Sequence, residues 1–445
     1  MLLKNAILEL KIDDIDCEGL GISHLDGYTI FVKNALVDEV VKALILKVGN
    51  NIAFAKTIEV LKRSEARINP RCSYSSRCGG CNMQHMTYTE EMRVKTEALR
   101  KTIHKMVPDA IISEGIPAKN PEHYRNKIQL PVGYQDNHFV VGFYQERSHN
   151  IIASNDCLIE HPSARIIINE ILALLNESNI YPYDEISNTG DLRHLILRVN
   201  SSNEFMVVFV VMKMKTKIAE IIDKCNNNMI TSYYVNINSK KTNVILGEEF
   251  IHVKGKKYLN ETLFGNTYLI HPNSFFQVNY EQMKILYTKA IELLNPRTTD
   301  VIIDAYCGIG TITLTLAKYV KKVYGIEVVK EAILNANQNK ERNAISNAEF
   351  VLGKCEEKIK ELVENEHIDA IVMDPPRKGS DKVFLDTIIN TKIPKIIYIS
   401  CGPASLARDL KYLSENNYKI DKIVPVDMFP RTANLETVAT LSLRK

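Results

Sequence analysis

The last third of the chain alternates short apolar runs with stretches of helix-forming residues. Segments such as 328–343 have helical length. The apolar runs between such segments are 301–304, 323–327, 350–352, 370–374 and 396–400. This alternation predicts β-α-β units that assemble into a doubly wound α/β sheet of the Rossmann-like kind. Ligands of such sheets bind outside the carboxyl ends of the strands. The candidate residues at those ends are Asp304, Glu327, Asp374 and Cys401.

The first of these strands leads into a glycine-containing turn and a helix. Gly308 and Gly310 let the backbone pass close to a ligand, but a dinucleotide-binding fingerprint requires a third glycine where this chain has Thr313. S-adenosylmethionine has no phosphate, needs an acid for its ribose hydroxyls, and gains from carboxylates near its cationic groups. Glu327, 23 positions after Asp304, is placed for the ribose. An acid after a strand is often only a helix cap, so the turn and the acid together favour S-adenosylmethionine.

A proline-rich turn and a cysteine follow the fourth and fifth strands. The sequence DPPR begins at Asp374, and its prolines leave carbonyls free to accept hydrogen bonds from a base or a cofactor, although plain loops also contain such turns. Cys401 brings a thiol to the same edge 27 positions later. Addition of a thiolate to carbon 6 of uracil makes carbon 5 nucleophilic enough to accept a methyl group. A base must then remove the carbon-5 proton, and Glu436 is the candidate.

Residues 1–60 contain β-branched runs separated by glycine-containing turns. The runs 6–12, 28–32, 40–48 and 53–60 predict the strands of a small barrel of the oligonucleotide-binding kind. This segment has 6 basic and 9 acidic residues, whereas residues 61–110 have 10 and 5. A net charge of +3 therefore conceals a basic segment suited to nucleic acid. A barrel that only packs on its neighbour is the alternative for the first segment.

Three of the nine cysteines lie within ten residues. Cys72, Cys78 and Cys81 enclose two glycines that let the chain fold tightly around a metal, and Cys157 is a distant fourth. Four thiolates suit zinc, although zinc sites more often pair two Cys-x2-Cys knuckles, and they equally suit a four-iron cluster. The spacing alone leaves both metals open.

These motifs resemble the RNA uracil-5 methyltransferases of the class that modifies large-subunit ribosomal RNA, and the resemblance covers essentially the whole chain. The stretch from EGLGI at residue 18 to LKRS at residue 64 looks like the TRAM barrel of that family, with VDE where PGE is common. We therefore expect three domains. They are an all-β TRAM barrel of the oligonucleotide-binding type at 1–62, a mixed α+β central domain at 63–290 and a Rossmann-like methyltransferase domain at 291–445.

The resemblance also implies the roles of individual residues. The contacts to S-adenosylmethionine would be Gln277 in the sequence FFQVN, Tyr306, Glu327 and Asp374. Cys401 would be the nucleophile and Glu436 the base. A histidine is common in the family at the position of Asn434, and an acidic or amide residue at that of Lys354.

The cysteine arrangement of the family implies a 4Fe-4S cluster, in preference to zinc, on Cys72, Cys78, Cys81 and Cys157. Its role would be structural or in RNA docking, because methyl transfer moves no net electrons. The barrel and the cysteine set together favour ribosomal RNA over transfer RNA as the partner.

The predicted function is transfer of a methyl group from S-adenosylmethionine to carbon 5 of a specific uridine in structured RNA, 23S ribosomal RNA being favoured, through a covalent Cys-uracil adduct. Two alternatives stay open. One is methylation of an exocyclic amine, which needs no thiol, and the other is a non-catalytic RNA-binding or redox protein that keeps the fold as a scaffold. The sequence YRNK at 124–127 and Arg193-His194 are candidate contacts to phosphates or base edges, with a solvated polar face as the alternative.

The chain shows no export or membrane signal. Its longest apolar run, 205–212, is far below the roughly 18 residues of a membrane helix. The acid-bearing stretch 9–18 lacks the apolar core of a signal peptide. We therefore expect a soluble, cytoplasmic, monomeric protein without membrane association.

Overall fold

The computed structural model describes residues 2–444. Met1 and Lys445, the outer bounds of the first and last predicted domains, lie outside the described residues. The first six strands form one sheet, named here the amino-terminal sheet. They are β1 (Ile7–Lys11), β2 (Asp14–Ile15), β3 (Gly21–Leu25), β4 (Tyr28–Lys33), β5 (Val40–Val48) and β6 (Ile52–Lys62), in the order β1-β5-β6-β4-β3-β2. Ile30 and Val32 on β4 are buried, as the two-residue period of a half-buried strand requires. The four strands predicted here are present, whereas β2 and β3 are too short and polar to show in the sequence.

A second sheet, the central sheet, contains seven strands in the order β13-β12-β11-β10-β7-β8-β9. The strands are β7 (Lys127–Gln135), β8 (His138–Tyr144), β9 (Ile151–Ala153), β10 (Leu192–Val199), β11 (Phe205–Val211), β12 (Ile230–Ile237) and β13 (Glu249–Gly255). Two helices pack on one face, α2 (Ala164–Asn176) and α3 (Thr216–Lys224). Every residue of β11 is buried, because Phe205 and its alternate neighbours face these helices while Met206 and its alternates face the carboxy-terminal part of the chain. Burial of both faces explains the unbroken apolar run.

The carboxy-terminal sheet has seven strands in the order β18-β17-β16-β19-β20-β22-β21. They are β16 (Val301–Ala305), β17 (Lys322–Glu327), β18 (Ala348–Leu352), β19 (Ala370–Met373), β20 (Lys395–Ser400), β21 (Tyr418–Val426) and β22 (Glu436–Leu443). The helices of this part are α4 (Tyr280–Leu294), α5 (Thr311–Leu316), α6 (Lys330–Arg342), α7 (Cys355–Asn365), α8 (Lys382–Thr391) and α9 (Pro403–Glu415). A hairpin of β14 (Leu259–Leu263) and β15 (Asn266–Ile270) precedes them. The predicted doubly wound fold is confirmed.

Strand β16 pairs in parallel with both β17 and β19, so the chain winds outward in two directions from this strand. The switch point of the sheet therefore lies between β16 and β19, where an open α/β sheet places its ligand. Asp304 is the penultimate residue of β16, and Asp374 directly follows β19. Both predicted site residues thus flank the switch point.

The first helix of the chain, α1 (Tyr88–His104), packs on the carboxy-terminal sheet and not on the central one. Leu99 and Ile103 belong to the core that this sheet forms with α8 and α9. Ile112 and Ile116, beyond the helix, form isolated parallel bridges to Ile423 and Val426 of β21. Residues 88–116 therefore pack on the carboxy-terminal sheet, although they precede the strands of the central sheet in the sequence.

Among the helices of residues 2–444, none combines the length and apolar character that a membrane crossing requires.

Candidate active site

Three carboxyl groups lie along the edge of the carboxy-terminal sheet that contains the switch point. Asp304 and Glu436 are buried, and Asp374 is partly exposed. Burial is the main cause that raises the pKa of Asp304 to about 7 and of Asp374 to about 7, and it raises that of Glu436 well above the usual range. None of the salt bridges formed within residues 2–444 involves these groups. Burial therefore disfavours the ionised forms of these acids, and a cation bound beside them would favour those forms.

The turn after β16 is built around Asp304. Its Oδ2 accepts a hydrogen bond of 2.5 Å from the Thr313 hydroxyl of α5, while Oδ1 has no protein partner. Thr313 is the residue that replaces the third glycine of a dinucleotide fingerprint, and here it holds the acid that begins the turn. Gly310 adopts a left-handed φ of 84° and approaches the Phe350 ring so closely that a Cβ would stand 2.5 Å from it. The glycine is required by this packing.

Glu327 ends β17 and lines a groove of about 610 Å³. Its Oε1 accepts hydrogen bonds from the backbone N–H groups of Val328 and Val329 at 2.8 and 3.0 Å. Its Oε2 accepts from Gly308 at 3.2 Å, which fixes the carboxylate against the glycine turn. Glu327 therefore caps the next segment and also faces the groove. The capping role and a ligand-binding role are thus compatible for this acid. Phe275, beside the predicted contact Gln277, lines the same groove.

The other two predicted cofactor contacts are placed differently. Gln277 is buried, and its carbonyl accepts a hydrogen bond of 2.8 Å from the Asn126 amide, which joins it to the start of the central sheet. Tyr306 has a left-handed φ of 65°, and its ring packs on Phe384 with centroids 5.3 Å apart. The Tyr306 ring thus packs against α8, and its backbone forms the start of the turn after β16.

Cys401 directly follows β20, and Glu436 begins the neighbouring antiparallel strand β22. The register of β20 and β22 pairs Ser400 with Thr437. Cys401 follows Ser400 and Glu436 precedes Thr437, so these two residues stand opposite each other just beyond that pair. Opposed residues of an antiparallel pair have side chains on the same face. Burial, then Glu436, then Asp374 raise the pKa of the Cys401 thiol to about 11. The thiol and the predicted base are therefore electrostatic neighbours, and the thiol is protonated at neutral pH.

Cys401 opens into a cavity of about 670 Å³ whose walls come from four parts of the chain. The amino-terminal sheet and its loops contribute residues 17–20, 33 and 34, and the loop that carries Cys78 and Cys81 contributes residues 78–82. The region of the central sheet contributes residues 125, 146 and 147, and Arg377 and the segment 432–435 form the wall beside the thiol. A cavity of this size at the junction of four parts, open to solvent and lined by four cations and two acids, has room for a nucleotide.

Two of the predicted cluster cysteines, Cys78 and Cys81, face this same cavity. Burial raises the pKa of Cys81 to about 11, and the thiols of Cys78 and Cys72 add to this rise. Cys157, whose pKa burial raises to about 12, also interacts with Cys81. The fold therefore gathers four thiols separated by up to 85 positions. Within residues 2–444, however, no three cysteine, histidine or acidic side chains are arranged closely enough to hold a metal ion.

The charge count of residues 61–110 suggests a basic surface suited to nucleic acid, but many of these basic side chains already pair with acids of the protein. Six of the ten basic side chains of 61–110 form ion pairs; they are Arg67, Arg71, Arg93, Lys95, Arg100 and Lys101. Arg193 is buried and donates to the carbonyls of Asn238, Lys240 and Thr242 at 2.7 to 3.0 Å. The interpretation of Arg193 as a phosphate contact is therefore wrong, because its donors bind carbonyls in the connection between β12 and β13. Of the six paired cations, only Arg67 and Lys95 have largely buried side chains, and the other four lie nearer the surface.

Of the YRNK sequence, Arg125 alone lines the cavity. Tyr124 donates to the carbonyl of Pro430 at 3.0 Å. Lys127 lies opposite Arg198 in the β7–β10 pairing, and burial together with Arg198 lowers the pKa of Lys127 to about 7. This buried cation pair next to the Gln277 segment has no signal in the sequence, because strand pairing alone brings the two residues together.

The fold and the site define a class: a Rossmann-like methyltransferase domain with a thiol and an acid at the cofactor edge, preceded by a small β domain. Comparison with known proteins gives the family. The model for tRNA (uracil-5-)-methyltransferase matches residues 87–444, and that for the TRAM domain matches residues 3–58. The chain belongs to the tRNA (uracil-5-)-methyltransferase family and is an S-adenosylmethionine-dependent RNA methyltransferase. The predicted family and enzyme class are confirmed.

Relatives match over their whole length. An uncharacterised RNA methyltransferase of Listeria innocua is 39% identical, with 100% of this chain and 99% of that protein covered. One of Halalkalibacterium halodurans is 38% identical, with 99% and 98% covered. Among solved structures, the tRNA (uracil-54, C5)-methyltransferase of Pyrococcus abyssi in complex with S-adenosyl-L-homocysteine is 28% identical, with a TM-score of 0.79 and coverage of 97% and 99%.

Proposed function

We propose that this protein methylates carbon 5 of a specific uridine in structured RNA through a covalent adduct on Cys401. The observation that carries the proposal is the opposition of Cys401 and Glu436 across β20 and β22, beside a cluster of acidic groups without a cation. A thiol is needed only where the target ring must be activated by addition. Methylation of an exocyclic amine gives no reason to hold a thiol opposite a buried acid.

In the proposed reaction, the sulfur of Cys401 adds to carbon 6 after its proton passes to a base of the site. The electron pair released at carbon 5 forms the bond to the methyl group, and the sulfonium becomes a neutral thioether. Glu436 then removes the proton from carbon 5, and the ring expels the sulfur of Cys401. The net products are the methylated uridine, S-adenosylhomocysteine and one proton. A carboxylate whose pKa burial and Asp374 raise well above the usual range is a strong base for the last step.

S-adenosylmethionine supplies the methyl group and a positive charge. We infer that Glu327 binds its ribose hydroxyls, with Gln277, the backbone at Tyr306, and Asp374 as further contacts. The groove supports the assignment of Glu327, since Glu327 and the glycine turn at Gly308 both line it. The sulfonium would then offset the buried charge of Asp304 and Asp374.

RNA would enter the cavity of about 670 Å³ beside Cys401, with the target base turned out of its stack. We propose ribosomal RNA as the first substrate to test, on the combination of a TRAM domain with the cysteine set. The family description and the archaeal relative both name transfer RNA, so the two RNAs must be compared directly. Mass spectrometry of 5-methyluridine in separated ribosomal and transfer RNA from cells lacking the protein identifies the substrate.

We further propose a 4Fe-4S cluster on Cys72, Cys78, Cys81 and Cys157. The convergence of the four thiols on one region supports this proposal, and the absence of a coordination geometry among residues 2–444 opposes a preformed site. Loading would therefore require the thiols to move together. Anaerobic purification should yield a brown protein with about four iron atoms and four sulfides per chain. A colourless protein with one zinc per chain would refute the cluster.

We also propose that the chain works as the three domains 1–62, 63–290 and 291–445. The end of the amino-terminal sheet at Lys62 supports the first boundary. The packing of α1 on the carboxy-terminal sheet implies that part of the second domain moves with the third. Limited proteolysis of the full chain should therefore cleave near residue 64 while the segment 88–116 remains with the carboxy-terminal fragment under native conditions.

The deciding experiment uses RNA that carries 5-fluorouridine. Fluorine cannot leave carbon 5 as a proton, so the adduct persists as a protein–RNA complex in denaturing gels. We expect the complex with the wild-type protein and with Cys225→Ala, which removes a thiol in the core of the central sheet, and none with Cys401→Ala. Absence of the complex for the wild type, or its survival in Cys401→Ala, would refute the mechanism.

A further inference from the structure

The loop before Glu436 decides where the proposed base lies, and it has no regular secondary structure. This base loop comprises residues 427–435 between β21 and β22. Its segment 432–435 forms the wall of the cavity beside Cys401. Arg431, in the middle, has a left-handed φ of 69°, a conformation that a non-glycine residue keeps only when its surroundings hold it. The base loop is therefore held by contacts from other parts of the chain.

Helix α1 anchors the first half of the base loop. Lys95 donates to Asp427 at 2.8 Å and to the Phe429 carbonyl at 3.2 Å, and Glu91 accepts from the Arg431 N–H at 2.7 Å. The side chains of Lys95 and Glu91 are completely buried. Buried, charge-assisted hydrogen bonds of this kind fix a backbone firmly. The start of the base loop is thus rigidly attached to the core of the carboxy-terminal sheet.

Asn82 holds the second half, which is nearer to Glu436. Its Oδ1 accepts a hydrogen bond of 2.9 Å from the Ala433 N–H, and its own N–H donates to the Arg431 carbonyl at 3.1 Å. Its Nδ2 donates at 2.8 Å to the Glu18 carbonyl in the amino-terminal sheet region. One side chain therefore joins three segments: the residue after Cys81, the turn before β3, and the base loop.

The contact between these segments is close. Gly19 has a left-handed φ of 80°, and a Cβ built there would stand 2.9 Å from the Met83 side chain. Met83 also donates its N–H to the Arg431 carbonyl at 3.2 Å. The turn at Gly19 is therefore in direct contact with the Met83 side chain, and the hydrogen bond of Asn82 to Glu18 joins the same two segments. Asn82 and Met83 thus connect the turn before β3 to the loop that precedes Glu436.

We propose that Asn82 is a positioning residue that sets the placement of Glu436 through its hydrogen bond to Ala433. The inference rests on the proposed role of Glu436 as the base. Asn82 lines the cavity, but its side-chain hydrogen bonds go to Glu18 and Ala433 and not to Cys401 or Glu436. Its loss should therefore affect proton removal from carbon 5 and leave addition of Cys401 to the ring intact. Misplacement of a catalytic group by about 1 Å lowers a rate by up to a hundredfold, so a tenfold or greater loss of kcat is expected when the bond is removed.

The two side-chain hydrogen bonds of Asn82 can be separated by substitution. Asn82→Leu keeps the volume and removes both, whereas Asn82→Asp keeps the acceptor for Ala433 and loses the donor to Glu18. We expect Asn82→Asp to recover kcat to within threefold of the wild type. The added negative charge repels RNA phosphates and raises KM, so the comparison uses kcat at saturating RNA. Asn365→Ala, at an exposed position at the end of α7, is the matched control.

Each variant is measured in two ways: kcat with normal RNA, and the rate of adduct formation with 5-fluorouridine RNA. For Asn82→Leu we expect kcat to fall at least tenfold while the adduct rate stays within twofold of the wild type. A purely structural defect would lower both rates together, and that result refutes the inference. Normal kcat in Asn82→Leu refutes it as well.

Failure of the proposed function gives a different result. If the wild-type protein forms no adduct, the Cys401 mechanism itself is wrong. If the wild type forms the adduct and Asn82→Leu behaves like Asn365→Ala, only the positioning role is refuted. If Asn82→Leu does not fold, Asn82→Asp still tests the inference. A tenfold lower kcat with a normal adduct rate in Asn82→Asp would assign the positioning role to the hydrogen bond with Glu18. That result would refute the role proposed for the hydrogen bond with Ala433.

Discussion

Cys401 and Glu436 stand opposite each other at the end of an antiparallel strand pair, because β20 and β22 align Ser400 with Thr437. The two residues are 35 positions apart in the sequence. Strand β22 inserts antiparallel between β20 and β21, and this insertion brings the acid to the thiol. The pKa of the Cys401 thiol rises partly because Glu436 lies beside it. The proposed nucleophile and the proposed base therefore interact electrostatically.

The first prediction concerns Glu436→Gln. The amide keeps the size of the side chain but cannot accept the proton from carbon 5, so methyl transfer should proceed while release of the RNA slows by about a hundredfold or more. Denaturing gels and mass spectrometry should show methylated RNA attached to the protein. Turnover at the wild-type rate would show that another group is the base.

The second prediction concerns activation of the thiol by the cofactor. Glu436 and Asp374 raise the pKa of Cys401, and a sulfonium beside them would oppose that effect. S-adenosylhomocysteine has the same shape without the charge. Alkylation of Cys401 by iodoacetamide, followed by mass spectrometry across pH, should give an apparent pKa about one unit lower with S-adenosylmethionine than with S-adenosylhomocysteine.

Cys17 serves as the internal control for that measurement. It is exposed, and the acids that raise its pKa, Asp16 and Glu18, lie on its own loop. Its alkylation profile should be the same with both cofactors. Equal profiles for Cys401 with the two cofactors would contradict electrostatic activation.

The third prediction concerns pH. Burial raises the pKa of Asp304 from 3.8 to about 7, so the folded protein keeps a proton that the unfolded chain has already released. The contribution of this group to the free energy of unfolding is therefore full below pH 4 and is lost as pH rises to about 7. Without cofactor, Asp304→Asn should flatten the pH dependence of urea unfolding between pH 4 and 7. An unchanged slope would contradict the raised pKa.

The same charges make cofactor binding depend on pH. A cationic cofactor favours the ionised acids, so binding at pH 6 must release protons from Asp304 and Asp374, whose pKa values lie at about 7. The dissociation constant for S-adenosylmethionine should rise several-fold from pH 8 to pH 6. Calorimetry in buffers of different ionisation enthalpy should detect the released protons. S-adenosylhomocysteine, which lacks the sulfonium charge, should show a smaller dependence.

The fourth prediction concerns Glu327→Ala. Loss of charge-assisted hydrogen bonds to the ribose should weaken S-adenosylmethionine binding by ten- to a hundredfold. Glu357→Ala, an exposed acid on α7, is the control and should bind normally. Because Glu327 also accepts from Gly308, the melting temperature is measured alongside, and a variant with native stability and unchanged affinity would exclude Glu327 from the site.

Much of the fold was predictable because strong local patterns persist through β16 to β20. Their apolar runs and the helices between them match the elements found, with bounds differing by one or two residues. Strands β21 and β22 were missed, since two antiparallel strands break the strand-helix alternation on which the prediction depends. The apolar run 205–212 contains β11 (Phe205–Val211), and the burial of this strand on both faces of the central sheet explains its composition.

The charge pattern was the least informative guide. The basic balance of 61–110 suggested a nucleic-acid surface, but Lys95 and Arg67 pair with acids inside the protein. Arg193 donates hydrogen bonds to three carbonyls in the connection between β12 and β13. Whether a cation faces solvent or an internal partner depends on contacts between distant segments, and the composition of one segment contains no information about them.

The sequence alone favoured S-adenosylmethionine and methyl transfer, because Cys401, Glu327 and the glycine turn are local features whose residue types limit what they can bind. The tertiary structure alone decided their mutual placement. Strand register put Glu436 opposite Cys401, and burial raised the pKa values of both. Asn82 joined the turn at Glu18 to the base loop. Register, burial and such bridging bonds depend on which distant segments pack together, and local sequence patterns do not encode that choice residue by residue.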